Sequence, residues 1–329
     1  MGASPGPVFI VGSNGSGSTL LRLMLDSHPN IAIPEETGFL RLAAMHRWVP
    51  YWKLGGEWYG NLGLTEDQLT TELAGFYGGL FSSYAVSRGK QRWGDKTPFH
   101  VWHLELARRM YPTATFVGIV RHPGGVVASL QRRFSRSRRA SIRHWMRSNR
   151  QLLVAGAGLG DRFVLVRYED LVAEPEPVMR ALLARLGEAW SPAVLAHHEV
   201  QPARRSTGFT RTDRAVDTSS VARWEDDLPA AARARVAART GPLARFLGYD
   251  PARSEPTEPL GTESPILTGT ELADRQRTRG QGLDWQPPRP RAEDRVLRPP
   301  SPRRRRRGAP DLDQVTIRKL VAHRMRRQR

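Results

Sequence analysis

A glycine-rich turn near the amino terminus has the residue types best suited to chemistry. Residues 8–11 are apolar, and from Gly12 the chain reads GSNGSGST. Gly12 and Gly17 have the spacing of a nucleoside-triphosphate loop, but Ser18 replaces the lysine that reaches the β- and γ-phosphates. The turn still offers backbone N–H groups, hydroxyls and a helix N-terminus to an anion. It therefore predicts a phosphate site without the machinery of phosphoryl transfer, although an ordinary strand-to-helix turn has the same composition.

Polar residues also follow two other apolar runs. Strands are predicted at residues 8–11, 115–120 and 163–168, and they lead to Ser16–Thr19, to Arg121, and to Tyr168 with Glu169. Helical patterns alternate with these strands, at residues 19–28, 100–110, 178–186 and 230–247. This alternation predicts a three-layer α/β fold with a mostly parallel sheet, whose ligands bind at the carboxyl ends of the strands.

Composition divides the chain of 329 residues in two. Residues 1–250 are predicted to form one folded domain, and residues 251–329, rich in Pro and Arg, a disordered basic tail. The chain has no cysteine, which excludes disulfides and thiolate zinc sites. It has neither a signal-peptide pattern nor an apolar run of about 20 residues, so we expect a cytoplasmic protein without a membrane span.

The net charge of +19 favours anionic ligands. Between residues 132 and 150 there are eight arginines and no acidic residue, and we interpret this segment as a loop. It is either a solvated surface or a guide for an anionic acceptor or nucleotide.

Four separated segments decide between these possibilities. In chain order they are GSGSTL at 15–20, PEET at 34–37, GDKTPF at 94–99 and RHPGGVVAS at 121–129. Together they resemble the sulfotransferases that use 3′-phosphoadenosine 5′-phosphosulfate (PAPS), in particular the branch that includes the tyrosylprotein sulfotransferases. The resemblance covers about residues 7–250 and implies the P-loop-like sulfotransferase fold.

The resemblance implies two phosphate sites. Arg121 and Ser129 correspond to the residues that hold the 3′-phosphate, and Arg133 lies one helical turn beyond Ser129. The family has an arginine where this chain has Gly15, so Lys96 or an arginine of the basic segment is expected to replace that contact. The residues implied for the 5′-phosphosulfate are Gly15, Ser16, Gly17, Ser18, Thr19 and Leu20.

The resemblance also implies the reacting groups. Glu36 corresponds to the base that removes the proton of the acceptor hydroxyl, and the neighbouring Glu35 is interpreted as a solvated turn residue. Lys96 corresponds to the cation that neutralises charge on the oxygen between phosphorus and sulfur. No metal is implied.

Weaker matches complete the nucleotide site. Tyr168 corresponds to a tyrosine near the adenine nucleotide, and Ser220 and Arg223 lie in a segment similar to a late loop over the donor. Trp224, next to them, is interpreted as a core residue.

These matches predict a PAPS-dependent sulfotransferase that releases adenosine 3′,5′-bisphosphate. The acceptor is a small molecule, glycan, lipid or peptide hydroxyl, and the sequence leaves the choice and the oligomeric state open. One alternative is a nucleotide-dependent kinase with a degenerate loop, which the missing lysine disfavours. Another is a basic nucleic-acid-binding protein, which explains the charge but not the four ordered segments.

Overall fold

A six-stranded sheet forms the centre of the molecule. The computed structural model describes residues 6–47, 55–200, 218–261, 264–286 and 288. The strand order is β2-β3-β1-β4-β5-β6, with the first five strands parallel and β6 antiparallel to β5. The strands are β1 Val8–Gly12, β2 Ile31–Ala32, β3 Arg92–Lys96, β4 Thr115–Val120, β5 Phe163–Arg167 and β6 Leu267–Thr268.

Helices cover both faces of this sheet. They are α1 Ser18–Asp26, α2 Phe39–His46, α3 Glu66–Ser87, α4 Leu104–Met110, α5 Pro123–Phe134, α6 Arg138–Leu159, α7 Tyr168–Ala173, α8 Pro175–Leu186, α9 His197–Val200, α10 Trp224–Asp227, α11 Ala230–Phe246 and α12 Gly269–Arg279. Short 3-10 turns lie at Gly55–Leu62, Pro98–His103, Gly160–Arg162, Pro192–Val194 and Thr218–Ser220. Within the described ranges, no helix is both long enough and apolar enough to cross a bilayer.

The three layers follow from alternation along the strands. Successive strand side chains point to opposite faces, so Phe9 joins the apolar cluster containing α2, α3 and α6 residues. Its neighbour Ile10 joins the opposite cluster, with Leu21 of α1 and Leu182 of α8. Both β1 residues are fully buried. The predicted α/β class with a mostly parallel sheet is confirmed.

Strand β3 escaped the sequence pattern. The segment Arg92–Lys96 is mostly polar, yet all five residues of β3 are buried between β1 and β2. Arg92 is stabilised there by Glu188 at 3.1 Å and by the carbonyl of Gly6 at 2.7 Å. Its charge is satisfied by partners distant in sequence, which no local pattern reveals.

The interpretation of residues 132–150 as a loop is wrong. The end of α5 and the first half of α6 occupy most of this segment. The side chain of Ser137 caps α6 by accepting the N–H of Ala140. The buried side of α6 carries Trp145, Leu152 and Leu153. Their apolar burial stabilises the helix although its opposite side is rich in arginine.

The folded body also continues past the boundary predicted at residue 250. Strand β6 pairs with β5, and α12 begins with a capping box between Thr268 and Glu271. Leu272 is fully buried, and Trp285 packs against Phe246 with ring centroids 4.8 Å apart. Residues 264–286 are therefore part of the body, because a few apolar side chains anchor them despite their polar composition. The later arginine run at 303–307 lies outside the described residues.

Candidate active site

The strand order creates a crevice between β1 and β4. The chain leaves β1 towards β2 on one side and leaves β4 towards β5 on the other. In open parallel sheets, ligands bind where connections diverge in this way, beyond the carboxyl ends of the strands. The turn after β1, the start of α5 after β4, and the end of β3 all meet this edge.

The turn after β1 is shaped for an anion. Gly15 and Gly17 have φ of 85° and 94°, in the left-handed region that favours glycine. A Cβ on Gly17 would lie 2.2 Å from the Tyr168 ring, so this position also requires the absence of a side chain. The first turn of α1 contains no acidic residue, and its N–H groups have no partner within the helix. Ser16 Oγ is buried without a hydrogen-bond partner among the described residues.

Arg121 forms the second cationic element, directly after β4. Its guanidinium donates to the carbonyls of Ser220 at 2.7 Å and Gly15 at 3.3 Å, and lies 4.3 Å from the centre of the Tyr168 ring. Its Nε is buried and has no partner in the part of the chain that the structure describes. A Cβ on Gly125 would lie 2.8 Å from that nitrogen, so the glycine at the start of α5 makes room for the arginine.

Helix α5 carries the other residues predicted to hold phosphate. Ser129 lies against the turn after β1, since a Cβ on Gly15 would be 3.2 Å from Ser129 Oγ. Arg133 follows one turn later, where burial lowers its pKa and the Glu36 carboxylate acts in the opposite direction. Arg133 and Glu36 therefore interact electrostatically.

Glu36 and Lys96 form an ion pair beside the start of α1. Lys96 Nζ donates to Glu36 Oε1 at 2.6 Å and to Thr19 Oγ1 at 3.3 Å. The lysine side chain is 3% exposed, whereas the glutamate side chain is 45% exposed. Burial lowers the pKa of Lys96, and the neighbouring carboxylate of Glu36 opposes this effect. The cation is therefore enclosed, while the carboxylate is open to solvent.

The turn that presents Glu36 is held at both ends by residues the motif analysis did not assign. Arg22 of α1 donates to the carbonyl of Ile33 at 3.0 Å, and Asp26 Oδ1 accepts the N–H of Ile33 at 2.7 Å. After Glu36, Thr37 Oγ1 donates to Asp95 Oδ2 at 2.6 Å. The i,i+4 spacing of Arg22 and Asp26 on α1 is the one local signal for this support.

A buried hydrogen-bond network around the carboxyl group of Glu169 lies next to Arg121. Glu169 accepts the N–H of His122 at 3.0 Å and the hydroxyl of Tyr249 at 2.8 Å. Burial raises the pKa of Glu169, and the positive charge of Arg121 opposes that shift. Burial also lowers the pKa of His122 to about 4, so its ring is neutral where it stacks on Trp224 at 4.5 Å. Trp224 is 2% exposed and lies in the core, as predicted.

The remaining predicted residues divide into two groups. Tyr168 and Ser220 are brought together, with their hydroxyl oxygens 2.5 Å apart. Arg223 points to a different partner, since its Nε lies 3.7 Å from Asp227 Oδ1. Ser18 is buried at the start of α1, and Leu20 packs partly buried against the apolar cluster of that face.

In the described ranges, no cluster of three or more His, Asp or Glu could hold a metal ion.

Comparison with known proteins identifies the class of this molecule. The profile of the Sulfotransferase family matches residues 7–192. The chain therefore belongs to the Sulfotransferase family, and it is an enzyme of sulfuryl transfer.

Several relatives carry one activity in their names. Protein-tyrosine sulfotransferase 1 of Danio rerio is 29% identical over 280 residues, which cover 79% of this chain and 76% of the relative. Protein-tyrosine sulfotransferase 1 of Homo sapiens is 28% identical over 270 residues, covering 76% and 71%.

Two solved structures share the fold. The sulfotransferase domain of the Synechococcus PCC 7002 olefin synthase has a TM-score of 0.53 and 25% identity, covering 74% of this chain and 96% of that domain. The sulfotransferase domain of the curacin biosynthetic pathway has a TM-score of 0.51 and 22% identity, covering 72% and 98%.

Proposed function

We propose that this enzyme transfers a sulfuryl group from PAPS to a hydroxyl group of a peptide or protein. The observation that carries the proposal is the position of Lys96 Nζ, which contacts both Thr19 in the anion-binding turn and Glu36 at the open side of the crevice. The Lys96 ammonium group thereby lies between the proposed phosphosulfate site and the proposed acceptor site.

The residues of the crevice fit the two phosphate groups of PAPS. The glycine turn, the start of α1 and the unpartnered Ser16 Oγ would hold the 5′-phosphosulfate. Arg121, whose buried Nε has no partner among the described residues, and Ser129 would hold the 3′-phosphate. Tyr168 and Ser220 lie beside Arg121 and would contact the adenosine that links the two phosphates.

The reaction assigns one task to each member of the ion pair. Glu36 takes the proton of the acceptor hydroxyl while that oxygen bonds to sulfur. Lys96 neutralises the negative charge that builds on the phosphate oxygen as its bond to sulfur breaks. For this step Lys96 exchanges the Glu36 oxygen for the phosphate oxygen, which frees the carboxylate to accept the proton. The products are the sulfated acceptor and adenosine 3′,5′-bisphosphate.

The names of the relatives and the exposure of Glu36 favour a peptide acceptor. A carboxylate that is nearly half exposed can be reached by a hydroxyl on a large molecule. Small-molecule, glycan and lipid hydroxyls are the competing acceptors, and a screen with PAPS and each class separates them by the product formed.

The donor is tested by calorimetric titration with adenosine 3′,5′-bisphosphate, with Mg·ATP and 5′-AMP as controls. We expect the bisphosphate to bind most tightly, because both phosphates are held, and 5′-AMP to bind weakly. Preference for Mg·ATP would replace the proposal with a kinase. Binding of none of the three would leave a nucleic-acid partner, whose affinity should fall steeply with salt.

A further inference from the structure

Two consecutive residues of α6 touch the chain on both sides of the crevice. The N–H of Asn14, in the turn after β1, donates to His144 Nε2 at 3.2 Å. The indole Nε1 of Trp145 donates to the carbonyl of Arg121, after β4, at 2.9 Å. Both hydrogen bonds reach backbone atoms rather than side chains, so they constrain where the two turns lie.

The contact with Asn14 defines the chemical form of His144. A backbone N–H can only donate, so Nε2 must present its lone pair and carry no proton. The imidazole is therefore neutral, with its hydrogen on Nδ1. In this form His144 also uses one N–H of the turn for the protein itself, which leaves the following glycines and the start of α1 for an anion.

These two contacts lie where the distance between the turn after β1 and the turn after β4 is set. β1 and β4 are adjacent parallel strands, and Gly12 pairs with Ile119 near their carboxyl ends. Beyond that pair the chain continues into the glycine turn and α1 on one side and into α5 on the other. Helix α6 lies across the gap, and its Trp145 is fully buried.

We propose that His144 and Trp145 form a brace that sets the distance between the 5′-phosphosulfate turn and the 3′-phosphate arginine. This inference rests on the proposed use of PAPS. His144 and Trp145 are positioning residues, because they act on the phosphate sites through the backbone of Asn14 and Arg121. The brace makes both phosphate sites fit one nucleotide simultaneously.

The brace makes a specific prediction about ligands with one or two phosphates. Loosening it leaves each phosphate site able to bind separately but removes their mutual alignment. The ratio of the 5′-AMP dissociation constant to that of adenosine 3′,5′-bisphosphate should therefore fall, whereas general destabilisation would weaken both ligands together.

The test measures this ratio by calorimetry for the full chain and three variants. His144→Leu removes the acceptor and should reduce the ratio about tenfold, the effect of one well-placed hydrogen bond. His144→Gln offers an amide oxygen to Asn14 and should restore most of it. Trp145→Phe keeps an aromatic ring, loses the donor and should behave like His144→Leu.

The outcomes separate this inference from the proposed function. A wild-type protein without preference for the bisphosphate would refute the PAPS proposal and the brace with it. A normal wild-type preference that persists unchanged in His144→Leu would refute the brace alone. Equal ratios for His144→Leu and His144→Gln would also refute it, since the acceptor atom would then have no role. Thermal unfolding of each variant establishes that the measured protein is folded, and His144→Gln decides the question if Trp145→Phe fails to fold.

Discussion

The carboxyl ends of β4 and β3 each place a cation in the crevice, and the two cations are held differently. Arg121 is held by two carbonyl oxygens and an aromatic ring, whereas Lys96 is held by the carboxylate of Glu36. Neutral hydrogen-bond partners fix the position of the guanidinium without an ion pair, so its charge is available to a ligand as well as to the nearby buried Glu169. An ionised partner cancels the charge until another anion replaces it. The first arrangement suits binding, and the second suits a step in which charge moves.

The largest expected effect comes from removing the proton acceptor of the ion pair. Glu36→Gln keeps the shape of the side chain but takes up no proton, so kcat should fall about 10²- to 10⁴-fold. The affinity for adenosine 3′,5′-bisphosphate should change little, because Glu36 is assigned to the acceptor side. Initial rates with labelled PAPS measure the first quantity and calorimetry the second. Near-normal turnover would remove Glu36 from the mechanism.

A smaller effect is expected from the cation held by neutral partners. Arg121→Ala should weaken binding of adenosine 3′,5′-bisphosphate roughly 10- to 150-fold, since hydrogen bonds to charged groups contribute about 1.5–3 kcal/mol. Arg139→Ala, at an exposed position of α6, changes the net charge equally and should leave the dissociation constant nearly unchanged. Equal losses in the two variants would attribute the effect to overall charge and contradict the assigned 3′-phosphate site.

The third prediction concerns folding stability, with no change in turnover or affinity measured, at the turn on which both cations converge. Gly17→Ala should lower the free energy of unfolding by about 2–4 kcal/mol, which combines left-handed backbone strain with crowding against the Tyr168 ring. Gly63→Ala is the matched control, because Gly63 has φ of 72° but no atom within 4 Å of an added Cβ. It should cost only about 1–2 kcal/mol. Urea denaturation measures the free energy of unfolding of both variants. Equal losses of stability would show that the Tyr168 ring imposes no steric limit at Gly17.

Local patterns predicted the parts of the fold whose burial is uniform. The runs at β1, β4 and β5 are continuously apolar because helices cover both faces of the sheet, so each is recognisable without knowledge of its neighbours. The glycine turn is equally local, since Gly15 and Gly17 satisfy a backbone requirement within a few residues.

Prediction failed where distant partners determine burial. Strand β3 contains Asp95 and Lys96, whose partners lie on other elements, so its polar sequence concealed a central strand. Helix α12 follows a stretch rich in proline and charge, yet Leu272 is anchored in the core. Composition is an average over many residues, so it does not reveal a single buried side chain. The domain boundary predicted from it, at residue 250, therefore lies before the end of the folded body.

The sequence by itself determined the α/β class and the order of the four separated segments, and the resemblance to sulfotransferases supplied the two residues proposed to react. The class and the segments depend on short stretches whose residue types are interpretable locally. Only the tertiary structure decided which groups meet. Glu36 and Lys96 are 60 residues apart, and Asn14 and His144 are 130 apart. Contacts over such separations arise from the strand order and the packing of helices against it, which no local pattern encodes.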